Sequence, residues 1–213
     1  MRFIAILTLL FALSCSNANA QWDTADRARL RTHLAPAITS SAFITAGSIM
    51  AFNPTVNSIA VSLRDNVVRY NLPQLHFDDY LQYAPMAMPF VLNMCGLESR
   101  HSFWRMSNLA AASFLLGAGW LYAGKYGFNV IRPDASANNS FPSGHTFMAF
   151  TGAELLRREY GEQYPWIAVL GYMMAAVVGG MRVYNNRHWA GDVLAGAGLG
   201  VLSVSIVYFT MDK

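Results

Sequence analysis

Charged residues are scarce in this chain. Only 13% of its 213 residues are Asp, Glu, Lys or Arg, against about 25% in an average soluble domain. Cysteine is nearly absent, with Cys15 and Cys95 alone. Removal of an N-terminal segment that includes Cys15 would leave a single thiol, which excludes an intrachain disulfide framework. Neither cysteine has metal-ligand spacing with a histidine, so Cys95 reads as a small apolar residue. No run of basic residues stands out, and the net charge of +3 is small. These features exclude the electrostatic footprint of a nucleic-acid binder. Internal repeats and low-complexity linkers are missing as well.

What the chain has instead is apolar sequence, 54% by composition. Uncharged runs cover 80–97, 107–124, 164–181 and 193–211, each close to the ~20 residues that cross a bilayer. A fifth segment, 143–156, is interrupted by Glu154 and is expected to cross inside the bundle, away from lipid. The expected architecture is therefore all-α, an integral membrane bundle of about five to six transmembrane helices. Residues 1–20 read as a signal peptide or signal anchor. Arg2 precedes the apolar stretch Phe3 to Leu13, and Ala18-Asn19-Ala20 offers a small-residue cleavage site. Residues 80–213 form the expected transmembrane domain.

Basic residues set the orientation. Arg100 and Arg105 lie between the first two spans, Arg157 and Arg158 between the next pair, and Lys213 ends the chain. Placing these on the cytoplasmic side satisfies the positive-inside rule. The loops 125–142 and 182–192 then face the periplasm, as does the segment 21–79, in a bacterial inner membrane. Within that segment, 34–63 carries no charge up to Leu63 but is rich in Ser, Thr, Asn and Pro. It is read as interfacial or periplasmic helix lying against the bundle. Arg27, Arg29 and Arg31 weigh against an outside position for this segment.

The residues that can do chemistry fall in the two outward loops. Lys125, Arg132 and Arg182 are three cations near the bilayer surface. Asp134 and Asp192 are too few to neutralise them, so the natural counter-charge is an external anion, and guanidinium forks suit phosphate oxygens. Ser143 and Gly144 open a helix whose free N–H groups also favour an anion. His188 and Asp192 stand four apart; a carboxylate on one ring nitrogen sets the tautomer and frees the other nitrogen to attack phosphorus. His145 is then the acid that protonates the leaving oxygen. Singly, each group has an ordinary structural reading as an interface anchor, a helix cap or a structural His–Asp pair. Their common side and fixed order favour the joint one. Asn138 and Asn139 lie beside these groups and are expected to touch the rest of a lipid head group.

The three groups resemble the signature of the type-2 phosphatidic acid phosphatase superfamily. Lys125 is followed after six residues by Arg132-Pro133; Pro142-Ser143-Gly144-His145 matches completely; Arg182, His188 and Asp192 match in spacing. Met181 stands where the family usually has serine. The resemblance implies a metal-free phosphatase without cofactor. His188 would be the nucleophile that becomes phosphohistidine, Asp192 its orienting carboxylate and His145 the general acid. Lys125, Arg132, Ser143, Gly144 and Arg182 would bind phosphate. The implied substrate is a membrane lipid phosphate of the lipid A, undecaprenyl diphosphate or phosphatidylglycerophosphate class, and the bilayer is the only other partner called for. The stretch from Asp78 onward also resembles short bacterial lipid A-modifying phosphatases. The alternative is a soluble exported acid phosphatase of broad specificity.

Overall fold

Eight helices and no strand make up the described residues, 24–70 and 73–212, of the computed structural model. They are α1 (Thr24–Phe52), α2 (Pro54–Arg69), α3 (Asp78–Leu81), α4 (Ala84–Met94), α5 (Phe103–Phe128), α6 (Gly144–Tyr160), α7 (Pro165–Tyr184) and α8 (Ala190–Met211). The expected signal segment, 1–20, lies outside the described residues.

Local sequence explains where these helices start and stop. Pro54 and Pro165 begin α2 and α7, a position where the missing N–H costs nothing. Asn53 caps α2, its side chain accepting from the N–H groups of Thr55 and Val56. α5 ends where Asn129 turns left-handed (φ 48°), and α7 where Asn186 does so (φ 56°). Asn tolerates that conformation better than most residues.

α6 lies at the centre, flanked by α4, α7 and α8. Twelve of its 17 residues are buried, which leaves no face for lipid, as expected for the segment containing Glu154. Glu154 is fully buried but not alone. It accepts from Arg157 Nε at 2.6 Å, Arg158 Nε at 2.8 Å and the Tyr172 hydroxyl at 2.6 Å. A buried carboxylate is tolerable only with such partners.

Small residues bring the backbones together. A Cβ on Gly152 would lie 2.3 Å from Met86 N, one on Gly196 2.5 Å from the Ser143 carbonyl oxygen, and one on Gly200 2.7 Å from that of Phe147. Glycine therefore permits α6 to sit directly on both α4 and α8.

α1 covers most of 34–63, the segment expected to lie against the bundle as interfacial or periplasmic helix, and it does contact the bundle. It packs antiparallel along α8, with Ser40 beside Gly198 and Gly47 beside Gly191 and Ala195. Leu34–Phe52 joins Pro165–Tyr184 and Ala190–Met211 as the three helices among the described residues long and apolar enough to cross a membrane. The C-terminal end of α1 reaches the same bundle end as Phe128 and Phe141, whose rings stand 4.9 and 5.1 Å from Phe52. Its start, with Arg27, Arg29 and Arg31, therefore lies at the opposite end. The uncharged run 80–97 is also less regular than expected. It is divided into α3 and the 11-residue α4, and α4 alone spans only about 16 Å.

Two clusters of polar side chains mark the bundle ends. At one end Arg100 N–H donates to the Glu159 carbonyl, and His101 lies between Glu159 and Asp212, 2.9 Å from each. This joins the 98–102 connection, the end of α6 and the end of α8, the three basic regions that sequence reading placed together. At the other end, the tips of α5 and α7 meet the starts of α6 and α8.

Candidate active site

The loop between α5 and α6 folds back on itself to present its side chains. Ser140 N–H donates to the Val130 carbonyl and Arg132 N–H to that of Ala137, both at 2.9 Å. It is tied to the α7–α8 loop by Trp189 Nε1, which donates to the Ile131 carbonyl at 2.9 Å, and by Arg187, 3.1 Å from Asp134. Ser143 N–H donates to the Asp192 carbonyl at 3.0 Å. Residues far apart in sequence are held in one rigid group.

His188 is 2% exposed. Its Nδ1 lies 3.5 Å from Asp192 Oδ2 and 3.3 Å from Ser140 Oγ. Ser140 spends its single proton on Asp192 Oδ2, so its oxygen is left to accept from His188. Both neighbours of Nδ1 are acceptors, which puts the imidazole proton there and leaves the Nε2 lone pair free. Asp192 is buried in the first turn of α8 and also accepts from Trp189 N–H at 3.0 Å. The positive end of the helix suits its charge. Burial, first, pushes His188 down to about 4 despite the opposing pull of Asp192, and the charges of Lys125 and Arg132 press the same way as burial. His188 is therefore a neutral imidazole at ordinary pH.

The cations surround this group. Lys125 Nζ donates to the Asn139 carbonyl at 2.8 Å, and Arg132 Nε to the Asn139 side-chain oxygen at 3.1 Å. Asn139 thus serves as a bracket for two cations, and Asn138 beside it is exposed. Burial and then the nearby guanidinium of Arg182 pull Arg132 below its ordinary value, a sign of concentrated positive charge.

Arg182 is not the unpaired cation that sequence reading expected. Its NH1 donates to Asp78 at 2.7 Å and to Asp79 at 2.9 Å. Asp78 is buried and takes a further bond from Asn185 at 3.0 Å. Arg182 Nε remains buried without a hydrogen-bond partner among the described residues. That donor suits an incoming phosphate oxygen.

The start of α6 is equally prepared for an anion. Ser143 makes no side-chain cap bond, and its Oγ accepts from Thr146 at 3.0 Å, which leaves its own proton to donate. A Cβ on Gly144 would meet only Leu121 and Lys125 carbons at an ordinary 3.8 Å, so packing does not demand glycine there. An anion seated on the N–H groups of the first turn would. His145 Nε2 stands 2.9 Å from Asp79 Oδ1.

All eight residues singled out from sequence, Lys125, Arg132, Ser143, Gly144, His145, Arg182, His188 and Asp192, are thus brought to one bundle end. Sequence reading missed Asp78, Asp79, Ser140 and Asn185. Asn185 holds the segment entering α3, accepting from Leu75 N–H at 3.1 Å and donating to the Leu75 carbonyl at 2.6 Å. A signal for Asp78-Asp79 was present in the adjacency of two acids just before an uncharged run.

Known proteins resemble this chain in sequence and in fold. The chain is 34% identical over 226 aligned positions to a lipid A 1-phosphatase of Porphyromonas gingivalis, covering 99% of this chain and 50% of that protein. It is 36% identical over 78 positions to an undecaprenyl-diphosphatase of Sulfolobus acidocaldarius, covering 34% of this chain and 36% of that protein. The chain therefore spans about half the length of the first of these relatives. Its fold matches the crystal structure of Aquifex aeolicus LpxE with a TM-score of 0.55 at 23% identity, over 70% of this chain and 94% of that one. The PAP2 superfamily pattern matches residues 88–213, a region that contains all eight of the residues named above, and the chain belongs to the PAP2 superfamily.

Proposed function

We propose that this protein is a membrane-embedded, metal-independent lipid phosphatase that removes the 1-phosphate of lipid A through a phosphohistidine on His188. The observation that carries the reading is the convergence of three cations, the free N-terminus of α6 and the His188–Asp192 pair at one end of an apolar bundle. The similarity over 99% of this chain to a lipid A 1-phosphatase supports the choice of lipid, and the helices long and apolar enough to cross a membrane favour a membrane enzyme over an exported soluble one.

In this reading Lys125, Arg132, Arg182 and the N–H groups at the start of α6 hold the phosphate oxygens. His188 Nε2 attacks phosphorus as the bond to the lipid oxygen breaks. The leaving oxygen takes the electron pair and a proton from His145. Water then attacks the phosphohistidine, giving up a proton to His145, and releases inorganic phosphate. Positioning and charge neutralisation supply most of the acceleration in phosphoryl transfer. Ser143 contributes its hydroxyl and Gly144 the close approach of backbone.

Arginine placement supports the orientation of this reading. Arg27, Arg29 and Arg31 at the start of α1 share an end with Arg100, Arg105, Arg157 and Arg158. The positive-inside rule puts that end in the cytoplasm and the site on the periplasmic face of the inner membrane. The test is phosphate release from lipid A by the purified protein in detergent with EDTA, analysed by mass spectrometry of the lipid. Loss of a single phosphate from the 1-position is expected; lipid A left intact while another lipid phosphate is cleaved would reassign the substrate.

A further inference from the structure

Asp79 stands outside the family pattern that matches this chain and makes two contacts in the site. Its Oδ1 lies 2.9 Å from His145 Nε2 and accepts from Arg182 NH1 at 2.9 Å. Asp78, its neighbour, already holds Arg182 at 2.7 Å. Arg182 therefore has a second anchor, whereas Asp79 is the carboxylate that His145 contacts. α3 is kept in place independently by Asn185 through Leu75 and Asp78, so Asp79 is presented on a fixed turn.

We propose that Asp79 is a positioning residue for the general acid His145, accepting from Nε2–H so that the proton delivered to the leaving oxygen comes from Nδ1. This rests on the phosphatase reading above and deepens it. The site then contains two carboxylate–imidazole pairs with opposite duties. Asp192, with Ser140, holds His188 by Nδ1 and frees Nε2 to attack. Asp79 holds His145 by Nε2 and frees Nδ1 to protonate. As the P–O bond breaks, the electron pair stays on the lipid oxygen, the Nδ1 proton joins it, and His145 becomes neutral with its Nε2–H still on Asp79. Water attacking the phosphohistidine returns a proton to Nδ1, closing the cycle.

The charged groups acting on His145 are Asp79 and Asp78 from α3 and Arg182 from α7; His76 lies 3.9 Å from Asp79, and Lys125 of α5 lies beside Gly144, the residue before His145. Burial first, and then Arg182, oppose an imidazolium at His145, and Asp79 is the group that most favours one.

Leaving-group dependence separates this role from a structural one. An alkyl phosphate needs a proton on its departing oxygen; p-nitrophenyl phosphate does not. For Asp79→Asn in the full-length protein, kcat on a lipid alkyl phosphate is expected to fall about 100-fold, the scale of general-acid catalysis. On p-nitrophenyl phosphate the fall is expected to stay under about tenfold, with inhibition by inorganic phosphate little changed because Arg182 keeps Asp78. The alkaline limb of kcat on the alkyl substrate should move to lower pH, and Asp79→Glu should recover part of the loss. Equal losses on both substrates, or unchanged kcat on the alkyl phosphate, would overturn the role. His145→Ala serves as the reference: selective loss on the alkyl substrate identifies it as the acid. Wild-type protein that cleaves neither ester would defeat the phosphatase reading itself, and the role of Asp79 with it.

Discussion

His188 Nδ1 lies 3.5 Å from Asp192 Oδ2, and Ser140 Oγ stands against both. The carboxylate holds the imidazole partly through a hydroxyl. Removing the charge with Asp192→Asn keeps the shape but lets the amide donate to Nδ1, which favours the wrong tautomer. The expected loss in kcat is on the order of 10³- to 10⁴-fold, the scale seen for the same change in a serine-protease triad, with KM altered far less. Ser140→Ala leaves Asp192 in place but removes a hydrogen bond to its carboxylate and an acceptor beside His188 Nδ1; it is expected to cost about 10- to 100-fold, a hydrogen bond to a charged group being worth about 1.5–3 kcal/mol. Steady-state kinetics on one lipid substrate compares the two variants.

The pH profile reports the same group. Burial lowers His188 to about 4, and the nucleophile is the unprotonated form. Activity is therefore retained as pH falls through the ordinary histidine range and is lost only as pH approaches about 4. The acid limb of kcat/KM, which reports the free enzyme, should lie well below the ~6.5 of an unperturbed histidine. An acid limb centred at the ordinary histidine value would show that His188 is better solvated than its surroundings imply.

Asn139 brackets Arg132 through its side chain and Lys125 through its carbonyl. Asn139→Ala removes only the first bond. KM for the lipid phosphate is expected to rise about tenfold, since a hydrogen bond to a charged group is worth about 1.5–3 kcal/mol. Asn138→Ala should change neither KM nor substrate preference.

The crossing of α1 and α8 makes a stability prediction. A Cβ on Gly47 would sit 2.5 Å from the Gly191 carbonyl oxygen and 2.6 Å from Ala195 N, while one on Gly119 would meet nothing within 4 Å. Gly47→Leu should destabilise the protein by about 1–3 kcal/mol or more, the range for overpacking. Gly119→Ala should be neutral or stabilising by up to about 1 kcal/mol, because alanine is the better helix former. Thermal unfolding in detergent distinguishes them.

Sidedness is open to labelling. In a variant without native cysteines, Asp26→Cys and Glu162→Cys should react with an impermeant maleimide only after cells are permeabilised. Ser62→Cys and Ser136→Cys should react in intact cells. Reaction of Asp26→Cys from outside would return α1 to the interfacial position expected from sequence.

The sequence made most of the site legible because its key spacings are short. Arg182, His188 and Asp192 follow from one helix end, one tight loop and one helix start, and Lys125 to Arg132 spans a single turnaround. Asp78 and Asp79 were not legible in this way. They reach Arg182 across 104 and 103 residues, and nothing local in either segment encodes that contact. The close packing of α1 on α8 was hidden for a different reason. Its Ser and Thr residues made it look polar, yet Thr39, Ser40 and Thr45 turn their hydroxyls onto the carbonyls of Ala35, Ala37 and Ser41 in the same helix. Hydroxyls satisfied in this way no longer need water, and the helix can lie in an apolar bundle. The small side chains that lowered its apparent hydrophobicity are the ones that let it approach α8.

The most direct test of the central claim is phosphate release from lipid A by wild-type and His188→Ala protein in EDTA, with acid-labile phosphate on His188 sought by mass spectrometry after a rapid alkaline quench. The account predicts turnover and a phosphohistidine in the wild type, and neither in the variant. Full activity in His188→Ala, or complete loss of wild-type activity on chelation, would contradict it.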